Sequence, residues 1–271
     1  YVQLLPADSQ KTLRTLVFIA RMAPELGSRA NSILRADRAL FNQAWNTMKL
    51  PERVQINNAV ITKSLNKAIA QKSEADARNT ARFAMSTYQG NVEAGAKSYA
   101  VNMLQFFEQI NDTSMYFINA IPYYNRYYMT VNVDSVKRAD SVKKTELLNE
   151  APLTKTVISS TSYKHVKSIS FAPRTQAYTN ALNHAARNFY KMTSQPQLLL
   201  MAIGWIEKGL EFYESAEALD TYARLLYKSG QQTRAVDVQL RAIALKTRQG
   251  YPVKEMEAVL EKMRRKAAID D

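Results

Sequence analysis

The residues able to do chemistry are few, and their spacing suits little of it. Two histidines occur, His165 and His184, and cysteine is absent, which excludes disulfides, thiol nucleophiles and thiolate metal sites from this chain. A helical zinc motif needs two histidines one turn apart, whereas these two stand far apart, so ligation by either would need carboxylates brought in from elsewhere. His165 lies in a Ser/Thr-rich stretch and His184 beside Asn183, Ala185 and Ala186, where a packed or surface imidazole is the simpler reading. No serine stands in a glycine-flanked elbow, and there is no glycine-rich phosphate loop. Acidic residues come mostly singly beside a basic neighbour, as in Asp37 with Arg38 and Glu207 with Lys208, the pattern of a solvated face. Paired carboxylates for glycoside hydrolysis would have to meet from distant helices. No catalytic residue, metal ligand or cofactor is assigned on these grounds.

The feature that could bind is aromatic. Tyr116, Phe117, Tyr123, Tyr124, Tyr127 and Tyr128 crowd one segment, interrupted by Pro122 and followed by Met129. A proline inside a helix removes a backbone hydrogen bond and kinks it. Neighbouring tyrosines cannot all face one core, so Tyr123, Tyr124, Tyr127 and Tyr128 are the candidate partner-binding residues, with ring area and a polar tip to offer a protein or peptide. The plainer alternative is that the rings fill the space between helices. The net charge of +13 is scattered along the helical segments, with small clusters at Lys137, Arg138, Lys143 and Lys144 and at Lys262, Arg264, Arg265 and Lys266. Without a dense basic stripe interleaved with aromatics, a nucleic-acid partner is disfavoured, and solvated helix faces account for the charge.

The elements that must position these groups are helices. Only 7 Gly and 8 Pro occur in 271 residues, too few to punctuate a many-stranded fold, and good helix formers run throughout. No apolar run is long enough to span a membrane, and the start at Tyr1, with neither an initiator Met nor the apolar core of a signal peptide, reads as a cut end. Helical spacing predicts a helix capped by Asp8 or Ser9 and ending near Pro24 and Gly27, then helices over 28–48, 51–71, 74–88, 93–110 and 113–128, the last two joined at Asn111 and Asp112. A charged helix over 134–150 carries few apolar residues and reads as peripheral or as a carrier between packing layers. Residues 151–172 are rich in Thr, Ser, Val and Ile. They read as an irregular linker able to form a short strand pair, with brief alternation at Val166, Ser168, Ile169 and Phe171. The expected organisation is therefore a helical-hairpin region over 1–150, the linker over 151–172, and a second helical region over 173–271.

That second region holds the clearest pattern. In AEALDTYARLLYKSGQQTRAVDVQLRAIALKT, counted from Ala216, Leu219 stands fourth, Tyr222 and Ala223 seventh and eighth, Leu226 and Tyr227 eleventh and twelfth, and Gly230 fifteenth. Ala235 stands twentieth, Ala242 twenty-seventh and Leu245 thirtieth. This resembles the tetratricopeptide repeat, a unit of roughly 34 residues built as helix, turn and antiparallel helix, with Gln239 where an aromatic is usual and Thr247 where proline usually ends the unit. The stretch 179–212 resembles a looser copy, in which Ala202 and Gly209 repeat the interval of Ala235 and Ala242. Val253 to Arg265, with Met256, Val259, Leu260 and Met263 on one face, reads as a half-polar closing helix. The resemblance implies an all-α fold of antiparallel hairpins stacked as a tetratricopeptide-like array, and a non-catalytic scaffold that binds a protein or peptide.

The run from Leu219 to Met263 is also similar to the helical tail that follows a thioredoxin-like domain in a group of bacterial proteins. This likeness implies the helical part of a larger protein and favours the cell envelope or periplasm over the cytoplasm. Its redox motif needs two cysteines, so no redox residue carries over. Two further readings stand beside the scaffold. One is the helical region of a thioredoxin-linked or carboxylate-based enzyme with its active site elsewhere. The other is a basic surface for nucleic acid or anionic lipid.

Overall fold

The structure is a computed structural model, and it describes residues 6, 10–151, 153–159, 162–167, 171 and 173–269. The fold is all-α in class, with thirteen α-helices among the described residues. The chain divides into two compact units, Tyr1–Tyr123 and Tyr124–Asp271. No described helix is long and apolar enough to cross a membrane.

The first unit opens with α1 (Leu13–Arg21), α2 (Arg29–Arg35) and α3 (Arg38–Asn46). Asp8 and Ser9 lie outside the described residues; α1 is capped by Thr12, whose hydroxyl accepts from the Thr15 N–H at 3.2 Å. The single helix expected over 28–48 is two helices. Asp37 accepts from the Leu40 N–H at 3.0 Å, so it starts α3 afresh, and a side chain read as half of a surface ion pair is a cap. Leu16, Ile19, Ala20, Leu34, Ala44 and Met48 bury together against Ile56 and Val60 of α4 (Leu50–Gln71). Then come α5 (Glu74–Ser86) and α6 (Val92–Gln109), which lie so close that a Cβ on Gly95 would meet the Met85 carbonyl oxygen at 3.0 Å. Lys72 ends α4 in the left-handed region and Ser73 caps α5 at once, so the turn is two residues long. Asn111 and Asp112 repeat the device before α7 (Thr113–Tyr124), with the Asp112 carboxylate accepting from the Met115 N–H at 3.0 Å.

Pro122 sits inside α7 without stopping it, and the chain winds on as a π-helical turn over Asn125–Met129. The wider turn re-aims the Tyr segment where only a kink is expected from sequence. Charged α8 (Val133–Glu150) follows, and its one buried residue is Asp140. β1 (Leu153–Ser159) and β2 (Ser162–Lys167) then pair antiparallel, Leu153 opposite Lys167, with an irregularity between Val157 and Ser159. Ser168 and Ile169 lie outside the described residues, as do the side chains of Val166 and His165.

The remaining helices are α9 (Arg174–Met192), α10 (Pro196–Phe212), α11 (Ala216–Lys228), α12 (Gln232–Arg248) and α13 (Lys254–Arg264). Each packs on its successor, and α9 also packs on α11. Small residues set these approaches. Ala185, Ala186, Ala202, Ala223, Ala235 and Ala242 are all fully buried, and a Cβ on Gly209 would lie 3.3 Å from that of Leu182. The Thr179 hydroxyl, also fully buried, reaches the Gly209 carbonyl at 2.6 Å and ties α9 to α10. Met256, Val259, Leu260 and Met263 all bury, as the closing-helix reading expects. The Tyr190 and Tyr227 hydroxyls donate to the carbonyls of Ile269 and Ala267, both at 2.9 Å, and hold the following segment against the helices.

Asp140 explains why a helix with so few apolar residues packs at all. Pro173 precedes α9 and offers no side-chain cap, so the N–H groups of Arg174 and Thr175 would otherwise be orphaned. Asp140 accepts both, at 2.9 and 2.8 Å. Burial pushes its carboxyl pKa up, but the hydrogen bonds from Thr175 and Arg174 and the Arg174 charge outweigh this and hold it below the ordinary value.

Candidate functional site

The candidate tyrosines divide by burial. Tyr123 and Tyr124 are each 6% exposed, while Tyr127 and Tyr128 are half-buried. The Tyr124 ring lies 5.2 Å from Trp205 and 5.4 Å from Tyr128, Tyr128 meets Tyr178 at 5.6 Å, and Tyr178 stacks on Phe212 at 4.8 Å. Trp205 donates its indole N–H to the Asn125 amide oxygen at 3.0 Å. These aromatics form a packed chain along the second unit, in which Tyr124 serves as core. His184 is exposed, with a ring nitrogen 3.3 Å from the Asn188 amide nitrogen. Among the described residues no three His, Asp or Glu side chains converge on a metal-sized site.

The more developed site is a polar groove of about 390 Å³ in the second unit. Its wall on α11 is Glu217, Asp220, Thr221 and Arg224, at i, i+3, i+4 and i+7, so one helical face points into it. Asn183 and Arg187, one turn apart on α9, face it from one side, and Lys254 and Glu255 at the start of α13 from another. Asp220 spends both oxygens, one on the Arg224 Nε–H at 2.8 Å and the other on the Gln239 amide at 2.7 Å. Gln239 is fully buried and also donates to the Met256 carbonyl at 3.1 Å. The residue that departs from the repeat pattern thus fastens α12 to both α11 and α13 beneath the groove. Lys246 pairs with Glu217 at 3.4 Å.

Arg187, Lys254 and Glu255 have no hydrogen bond or ion pair among the described residues, and the buried Asn183 amide oxygen has no partner. The groove therefore combines fixed ion pairs with unspent charge, mostly positive. Behind it the Tyr222 hydroxyl donates to Glu207 and accepts from Arg234 at 2.7 Å. Burial, then the Glu207 hydrogen bond, pushes this phenol up to about 12. Sequence reasoning missed the groove because it followed the apolar stripe Leu219, Tyr222, Ala223 and Leu226; the opposite face of α11, polar at the same helical spacing, was the readable signal.

No family model matches the chain, and neither a curated protein nor a solved structure does.

Proposed function

We propose that the chain is a non-catalytic scaffold, tetratricopeptide-like over 174–264, whose groove takes an extended peptide bearing acidic side chains. The observation that carries this is the pair of unspent cations, Arg187 and Lys254, on either side of a groove whose α11 face is fixed by Gln239. The stacking is supported by the burial of Ala223, Ala235 and Ala242 and by the packing of α9 on α11. A preformed groove spares a peptide the cost of ordering its host. The proposed partner is a protein or peptide, without catalysis, metal or cofactor at this site.

Selection from a library of short random peptides tests the proposal. Enriched sequences should be rich in Asp and Glu, and the double variant Arg187→Ala, Lys254→Ala should bind them about tenfold or more weakly, with its helical melting unchanged. No enrichment, or equal binding by a folded double variant, overturns it.

A further inference from the structure

The first unit contains a second cavity, of about 430 Å³, bounded by α2, α4 and α5, within the size range of small-molecule pockets. Asn31 lines it at 7% exposure, and its side-chain Nδ2 is buried without a hydrogen-bond partner. A buried amide left unpaired is costly and uncommon, and it needs a reason. Arg35 stands one turn further along α2. Its guanidinium lies 5.2 Å from the Phe41 ring and 5.3 Å from the Phe83 ring, so the planar group is gripped between two aromatics. Among the described residues no carboxylate pairs with it. The residue as a whole is exposed, and partial desolvation of its guanidinium lowers the pKa, the direction expected of a cation without an anionic partner. Ser64, 4% exposed, accepts from the Leu26 N–H at 2.9 Å, and its own proton has no acceptor among the described residues.

Three unspent donors on two helices, one of them a fixed fork, face one cavity. The geometry points to a binding site for a small organic monocarboxylate, held by the Arg35 guanidinium with the Asn31 amide and Ser64 hydroxyl completing its hydrogen bonds. A guanidinium presents two parallel N–H groups that match the two oxygens of a carboxylate. Lys67 and Asp76 also line the cavity with opposite charges, which leaves one net positive charge from Arg35 and matches a monoanion better than a dianion such as phosphate. Leu26 and Phe83 in the lining give the organic part of the ligand an apolar surface. The site belongs to the first unit and does not depend on the peptide groove.

Calorimetric titration of the whole chain with benzoate, lactate and inorganic phosphate tests the assignment, repeated on Arg35→Lys and Asn31→Ala. At least one monocarboxylate should bind one to one and more tightly than phosphate. Arg35→Lys, which keeps the charge and loses the fork, should weaken it about tenfold or more. Asn31→Ala should weaken binding yet leave the ligand-free melting temperature unchanged or higher, because it removes a donor with nothing to bond. Three results overturn the proposal: neither monocarboxylate binds, phosphate binds more tightly, or both folded variants bind as the parent does. A lower ligand-free melting temperature for Asn31→Ala likewise overturns it, since the amide would then be serving the fold.

Discussion

In Tyr1–Tyr123 the helices α1, α2, α3, α5, α6 and α7 each start at a side chain that accepts from their own first turn, namely Thr12, Ser28, Asp37, Ser73, Asn91 and Asp112. In Tyr124–Asp271 only α8 and α11 do, through Asn132 and Ser215, while α9, α10, α12 and α13 follow Pro173, Gln195, Gln231 and Val253 without a side-chain cap. The second unit compensates with interlock. Small residues bring helices into backbone-level contact in both units, as at Gly95 and Gly209, but here Asp140 also caps α9 from another helix altogether, and Gln239 fastens α12 to α11 and α13. Both units are closely packed, but the first sets its helix starts mainly by local side chains and the second relies more on polar contacts between helices, so the two should differ in which substitutions they tolerate.

The largest effect should come from disturbing the packing of the second unit. Ala235 is fully buried on α12, at the twentieth position of the repeat-like unit. Ala235→Leu adds three carbons where there is no room, so α12 must shift from its neighbours at a cost toward the upper end of about 1–3 kcal/mol. Urea denaturation of the variant measures this. An unchanged midpoint would mean that α12 has slack, and that packing does not stand in for the cap it lacks.

Asp140→Asn should cost less, about 2 kcal/mol, because an amide oxygen can still accept one of the two N–H groups but loses the charge-assisted strength of both bonds. The pH dependence has a definite sign. The folded pKa lies below the unfolded one, so the carboxylate's contribution is present in full above the unfolded value and is lost as pH falls through the folded value. The stability gap between parent and variant should therefore be constant near neutrality and close as pH drops below about 4. A gap that persists in acid would show that the role of Asp140 is packing and not charge.

What was readable beforehand follows the same division. Turn residues Asn111 and Asp112, Pro51 in the first turn of α4, and the apolar face of α13 are local or periodic signals, and each sits where its type and spacing put it. Asp37 misled because a carboxylate beside an arginine reads equally as a surface pair or a cap, and only the helix break at Ala36 decides. Asp140 was hidden because its partners lie 34 and 35 residues away. Gln239 was visible as an oddity, but its reason, the carboxylate of Asp220 and the carbonyl of Met256, comes from two other helices. The pocket of Asn31 and Arg35 carried no sequence signal, since neither residue is unusual until the burial of Asn31 and the lack of polar partners at both side chains, among the described residues, are known.

The smallest effect should come from a cap in the first unit, and it is the sharpest check on the contrast. Ser73 accepts from the Asp76 N–H at 3.3 Å, and the first turn of α5 also carries Glu74 and Asp76, whose charges suit a helix N-terminus. Ser73→Ala removes one acceptor and leaves the acidic residues in place, so the loss should be about 1 kcal/mol. Ser73→Asp should restore it, since aspartate caps as well as serine. The matching change in the second unit is Gln231→Asp, which supplies α12 with a cap it lacks. If α12 is held by its contacts with other helices, the new cap should add well under the about 1 kcal/mol that Ser73 contributes, as the Gln231 backbone is already fixed by its N–H bond to the Leu226 carbonyl at 2.9 Å. Denaturation midpoints for the three variants decide between these outcomes. A gain from Gln231→Asp equal to the loss from Ser73→Ala would mean that helix starts weigh the same in both units, and that the missing caps of the second unit are unused stability with no replacement in its packing.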